Sequence, residues 1–246
     1  PPDLTQKAAQ GRLIQTLALN MSSSSSPIIK NLYRIVGFER AVQVLESNEM
    51  YFSHPSIWDD PYDQGVSHKR SLDIFAQCWC RKAVSDAMWR IYSPNNLGVR
   101  IGTTLDRIKT ALSSAKEEQR IEFKIQDIKY LHQEELHLQL EKLEKKRKAK
   151  PSFSTTIAPL FLKRNAFDHE LETRVVVYHP SQNDDPPRKG VAIKVKSRDL
   201  VRSIWIDPRA PKEYAEAYAN YLKNVLKFEG TVKQSSLYAT RDPKGE

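Results

Sequence analysis

Glycine, methionine and above all cysteine are scarce: the 246 residues hold 8, 3 and 2 of them. Cys78 and Cys80 stand at i and i+2, a spacing that in an extended strand keeps them about 6 to 7 Å apart, too far for an ordinary bridge. Reduced thiols, and with them a cytoplasmic setting, are expected. No apolar run approaches the roughly 18 residues that cross a bilayer, and the first residues lack the charged, apolar and small-residue succession of a secretory signal. No membrane partner is expected. The missing glycines matter too. There is no G-x-G-x-x-G, no P-loop and no G-x-S-x-G elbow, so neither a familiar nucleotide cradle nor an α/β-hydrolase nucleophile is encoded. Cys78-Trp79-Cys80 has no second pair, and His54, His68, His132, His137, His169 and His179 show no ligand spacing beside an acid, so no metal is expected.

What is present suffices for one core. Composition is 39% hydrophobic and 9% aromatic, enough for a single domain with extensions. The formal charge of +9 and pI near 9.4 favour phosphate-bearing partners. Much of that excess sits in Lys142 to Lys150, K-L-E-K-K-R-K-A-K, where a solvated basic face explains it equally well.

Along the chain, Leu13, Ile14, Leu17 and Ala18 fall at helical spacing, and the tract Ser22 to Ser26 reads as a linker. Residues 1–26 are therefore expected to form an N-terminal helix and serine-rich linker. A single α+β domain over 27–246 is expected to follow, with a charged helical insertion at about 104–150. Strands are expected at 28–36, 50–53, 75–80, 97–101, 191–195 and 201–206, and the alternation of I-E-F-K-I within 121–130 suits a further strand. Helices are expected at 40–47, 84–92, from 104, at 131–150 and at 211–228. The lack of regular alternation favours α+β over a doubly wound sheet.

The organising stretch is Ala166 to Tyr178, A-F-D-H-E-L-E-T-R-V-V-V-Y, read as one strand. Alternation would then place Glu170, Glu172 and Arg174 on one face, with Leu171, Thr173 and Val175 on the other. Arg174 would keep a neighbouring carboxylate ionised. An exposed edge decorated with a salt bridge accounts for the same pattern.

Several motifs acquire meaning in order: L-Y-R-I at Leu32 to Ile35, Y-F-S-H-P-S-I-W-D-D-P-Y-D at Tyr51 to Asp63, C-W-C at Cys78 to Cys80, M-W-R-I-Y at Met88 to Tyr92, L-G-V-R-I at Leu97 to Ile101, and F-L-K with E-L-E-T-R at Phe161 to Arg174. Over residues 30–206 this set resembles the bacterial domain-of-unknown-function family numbered 2971. Trp58-Asp59 stands where that family has Phe-Asn, Cys80 where it has Ser, and Phe167 where it has Trp. An arginine on the first strand, a serine on a later one and a terminal E-x-E also resemble the ordered triad of ADP-ribosyltransferases, including DNA-modifying toxins.

This second resemblance implies a split, bent mixed β-sheet with flanking helices, gripping NAD as substrate. It implies Glu172 and Glu170 as catalytic residues. Glu172 would bond the ribose hydroxyl and stabilise a developing cation; Glu170 would position or deprotonate an acceptor. Arg34, beside Tyr33, would hold the phosphates, and Ser53 would orient Glu172. Tyr51, Trp89 or Tyr92 would stack on nicotinamide, although Met88, Trp89 and Tyr92 at helical spacing also suit a core. Lys163 and Arg174 would bind phosphate or neutralise the glutamates. The resemblances imply a toxin or phage-defence effector with a nucleic-acid or protein acceptor, or with an antitoxin or defence-system partner. The alternative is a non-enzymatic nucleic-acid or partner-binding module that uses Lys142 to Lys150 as its phosphate-contacting arm.

Overall fold

A computed structural model describes residues 30–60, 62, 73–181 and 187–239; the expected N-terminal helix and serine linker lie outside them. In chain order the elements are β1 (Asn31–Gly37), α1 (Phe38–Ser47), β2 (Glu49–Ser53), β3 (Ile74–Cys80), α2 (Asp86–Tyr92), β4 (Gly98–Thr104), α3 (Leu105–Ala115), β5 (Glu122–Asp127), β6 (Lys129–Leu131), α4 (Gln133–Ala149), α5 (Phe153–Ile157), β7 (Leu162–Arg164), β8 (Glu172–Tyr178), β9 (Gly190–Lys194), α6 (Ser197–Leu200), β10 (Ser203–Ile206), α7 (Lys212–Asn220) and β11 (Thr231–Gln234). The start signals are local. Ser85 caps α2 by accepting from the Met88 amide, and Thr104 caps α3 by accepting from that of Arg107.

The main sheet is open, mixed and flanked by helices, as expected. Its order is β11-β10-β4-β1-β3-β2-β9, with β8 lying between β3 and β5. Only the β10–β11 pair within it is parallel. The sheet splits along β3. On one edge β3 pairs with β8 throughout, from Ile74↔Tyr178 to Cys80↔Glu172. On the other it meets β1 at Tyr33↔Cys80 and β2 at Ser53↔Ala76, with no regular ladder between. Side chains fill that seam. Arg34 donates to the Cys78 carbonyl at 3.2 Å, and Ser53 Oγ to that of Ala76 at 3.4 Å, supplying buried acceptors that the ladder leaves unmet.

The V-V-V run of β8 explains its central place. Val175 and Val177 pack with Phe52, Phe75 and Ile101 in the main core, while Val176 joins Ile157, Leu160 and Phe161 on the other face. A strand covered on both sides must be apolar on both.

Residues 104–150 are not helical throughout, and the strand that the alternation of I-E-F-K-I suits is present. Between α3 and α4 runs β5, which extends the sheet by pairing with β8 from Glu122↔Tyr178 to Asp127↔Thr173, because Phe123 and Ile125 pack against the main core. The terminal helix also stops earlier than expected, α7 passing into a π turn at Tyr221–Val225, and the short β11 follows.

Candidate active site

The E-L-E-T-R stretch is not one strand. Asn165–Glu170 forms a 3₁₀ turn, Leu171 takes left-handed dihedrals (φ 43°, ψ 52°), and β8 begins only at Glu172. Glu170 therefore leaves the strand face expected for it, yet still converges with Glu172, because the kink turns both toward Lys163. Lys163 Nζ donates to Glu170 Oε2 at 2.6 Å and to Glu172 Oε2 at 3.3 Å. Arg174 Nε and Nη2 donate to Glu172 Oε1 and Oε2 at 2.8 and 3.2 Å, and Nη1 to the Leu160 carbonyl at 2.7 Å. Tyr92 Oη donates to Glu170 Oε1 at 3.1 Å. The small β6–β7 ladder sets Tyr130 opposite Lys163, and Tyr130 Oη accepts from the Glu172 amide at 2.8 Å.

The groups are buried: Glu170 is 7% exposed, Glu172 3% and Arg174 not at all. Burial pushes the Glu172 carboxyl up, but Arg174, Lys163 and the Cys78 thiol together outweigh it and hold Glu172 down at about 2. Glu172 is thus a fixed anion. Burial, reinforced by Glu172, pushes the Cys78 thiol well above the usual range, and burial and Glu170 do the same to Tyr92. Both stay protonated and serve as donors. Burial also raises Tyr130, to about 12.

A cavity of about 520 Å³ opens over this cluster, and Tyr33, Arg34, Ser53, Trp89, Tyr92, Lys163, Glu170, Glu172 and Arg174 all line it. Tyr51 does not. It lies half-exposed on β2 against Gly190, where a Cβ would collide with its ring, so the expected stacking role is removed from it. Lys163 and Arg174 neutralise the glutamates rather than offering free cations. Ser53 does not touch Glu172. It accepts from Trp58 Nε1 at 2.7 Å, the Trp58 ring lies 4.6 Å from the Arg174 guanidinium, and Arg174 grips Glu172, so Ser53 can orient the carboxylate only through two intermediaries.

Arg34 lines the same cavity. Its hydrogen bond to Cys78 uses one of five N–H donors, and among the described residues no carboxylate reaches it. Burial lowers its pKa, while Cys78, Tyr92 and Glu172 oppose that shift.

With this geometry in hand, comparison with known proteins adds three findings. Residues 88–175, from α2 into β8, match the model of the family described as Protein of unknown function (DUF2971); the expected L-Y-R-I and Y-F-S-H-P motifs fall outside that match. A comparison with curated proteins finds none. Solved structures of DarT from Thermus sp. 2.9 show a loose likeness. The complex with NAD+ gives a TM-score of 0.39 at 11% identity, covering 85% of this chain and 96% of that one. The complex with ADP-ribosylated ssDNA gives 0.38 at 10%, covering 85% and 94%. At these scores the likeness carries no functional argument, and the site stands on its own geometry.

Two of the departures from the family pattern are accommodated by packing. Trp58 roofs Arg174, and Phe167 lies under Lys163 at 4.6 Å. Cys80 acts as a turn residue, its Sγ accepting from the Lys82 amide at 3.2 Å. Sequence reasoning missed Tyr130, Trp58, Cys78 and Arg100 as parts of the site. Arg100 lines the cavity at 7% exposure with an unpartnered Nε. The only signal for it was a lone arginine inside the apolar strand L-G-V-R-I.

Among the described residues no cluster of His, Cys, Asp or Glu could hold a metal, and no helix is long and apolar enough to cross a membrane.

Proposed function

We propose that the chain cleaves the nicotinamide–ribose bond of NAD, as an ADP-ribosyltransferase or NAD glycohydrolase. The supporting observation is the pairing of an ionised, buried Glu172 with an uncompensated Arg34 on the walls of one cavity. The fit is reasonable in size, since ligand pockets run about 300–1,000 Å³. It is reasonable in charge as well. A pyrophosphate needs cations not already neutralised, and Arg34 meets that need where Lys163 and Arg174 do not. Tyr92, nearly half exposed, supplies a ring for nicotinamide, whereas Trp89 is fully buried and packs in the core, so the expected stacking role is removed from it.

Cleavage breaks the bond from the anomeric carbon to the nicotinamide nitrogen. The electron pair leaves with the nitrogen, and positive charge develops on the ribose. Glu172 stabilises that charge. Its roughly four acceptor positions are taken by Arg174 twice, Lys163 and Cys78, so a ribose hydroxyl must displace one donor. Lys163 is the donor to yield, being held more closely by Glu170, at 2.6 Å against 3.3 Å. Glu170 then takes the proton from water or an acceptor hydroxyl as the new bond to the anomeric carbon forms.

The test is incubation of purified protein with NAD, with and without added acceptor, and chromatographic detection of free nicotinamide. Release is expected, falling at least about 100-fold in Glu172→Asp, which keeps the charge but withdraws it by a methylene. Folding of the variant is checked by circular dichroism. Absence of nicotinamide under every condition overturns the reading.

A further inference from the structure

The strands β1, β4, β10 and β11 turn Leu32, Ile101 and Ile204 into the main core, with Val232 packed against it. Alternation sends Tyr33, Gly102, Ser203 and Thr231 to the opposite face, and the register aligns them side by side. On that face is a second cavity, of about 660 Å³, lined among others by Arg100, Arg202, Trp205, Ser203, Thr231 and Ser235. It shares Tyr33, Ala83 and Arg100 with the first.

Arg100 is its most unusual component. The guanidinium lies 5.1 Å from the ring of Tyr33, 5.8 Å from Trp89 and 5.6 Å from Trp205. Although 93% of the residue is buried (7% exposed), no carboxylate among the described residues pairs with it, and its Nε has no hydrogen-bond partner. Aromatic faces stabilise a guanidinium from above and below but cannot accept its in-plane N–H groups. A buried cation so arranged needs an anionic acceptor. Among the described residues neither aspartate nor glutamate lines the cavity. Arg202 is exposed, with its side chain bonded to neutral Asn31 at 3.1 Å, so two cations, several hydroxyls and a half-buried indole face the same space.

We infer that this second cavity binds a nucleoside phosphate, the phosphate on Arg100 and Arg202 and the base against Trp205. The formal charge of +9 favours the approach of such a ligand. The same chemistry is carried by a free mononucleotide and by one unit of a single strand. The inference does not require the chain to cleave NAD.

The experiment measures fluorescence anisotropy of a labelled eight-nucleotide single strand titrated with the full chain. UMP, unlabelled strand and NAD serve as competitors. Arg202→Ala and Trp205→Leu are used because they avoid replacing the buried Arg100, and Lys145→Glu/Lys146→Glu on exposed α4 is the comparison. Binding is expected to weaken by about tenfold in Arg202→Ala and in Trp205→Leu, and by less than about twofold in the α4 double variant. Displacement by UMP identifies a mononucleotide as sufficient; displacement by unlabelled strand alone identifies a strand. The inference is overturned by lack of binding, or by binding that Arg202→Ala and Trp205→Leu leave unchanged, which together with full displacement by NAD would seat the strand in the first cavity. Nicotinamide release is read separately, so failure of either proposal leaves the other standing.

Discussion

Glu172 keeps its charge where water hardly reaches, and that has a cost in acid. Its pKa is about 2 in the fold against an ordinary 4.5, so the folded state releases this proton more readily than the unfolded chain. The resulting stabilisation is complete above about pH 4.5 and disappears as pH falls toward 2, amounting to about 3 kcal/mol. Urea unfolding at pH 7, 4.5 and 3 should show this loss in the wild type. Glu172→Gln, less stable at pH 7 because it leaves Arg174 buried without its anion, should lose correspondingly less between pH 4.5 and 3; equal losses would refute the assignment. The residue pattern revealed part of this. Two glutamates and an arginine two apart were enough to expect convergence, and Arg174 was expected to hold a carboxylate ionised. The arginine at 100 gave no such warning, because what makes it unusual is three aromatic rings brought from three separate elements.

At the scale of elements, the site depends on a boundary. Leu171 occupies left-handed space that costs an L-residue about 1–2 kcal/mol, and the turn is held where the Leu171 amide donates to Asp168 and its carbonyl accepts from the Arg81 amide, both at 3.1 Å. A β-branched side chain tolerates that region least. Leu171→Val is therefore expected to lower stability by about 1–2 kcal/mol and to cut NAD turnover by separating Glu170 from Glu172, whereas Leu171→Gly should keep both within a small margin. Thermal melts and nicotinamide release check this, and a harmless Leu171→Val would show that the kink is unimportant. Nothing in the residue types announced the boundary: glycine or asparagine would have marked a left-handed position, and leucine does not. The longer elements were legible from period, as α1 shows, or from period and a cap, as α3 with Thr104 shows, but T-V-K-Q of β11 is too short and too exposed to stand out before β10 offers it an edge.

At the scale of the molecule, the first cavity coincides with the place where the sheet divides. Arg34 comes from the β1 side of the seam, Tyr92 from α2, and the glutamates from the β3–β8 side, so a ligand that engages both Arg34 and Glu172 spans the seam. Hydrogen exchange with NAD added to the Glu172→Asp form is accordingly expected to slow at residues 33–36 and 170–174 together while leaving β11 unchanged. Protection on one side alone would mean that the ligand does not span the division.

The strand that presents Glu172 is also flanked by partners on both edges and packed on both faces. The buried carboxylate is thus mounted on the keel of the domain rather than on a dispensable loop. Removing the carboxylate alone strands a buried guanidinium, so a change at this point that spares stability must replace Glu172 and Arg174 together with apolar residues.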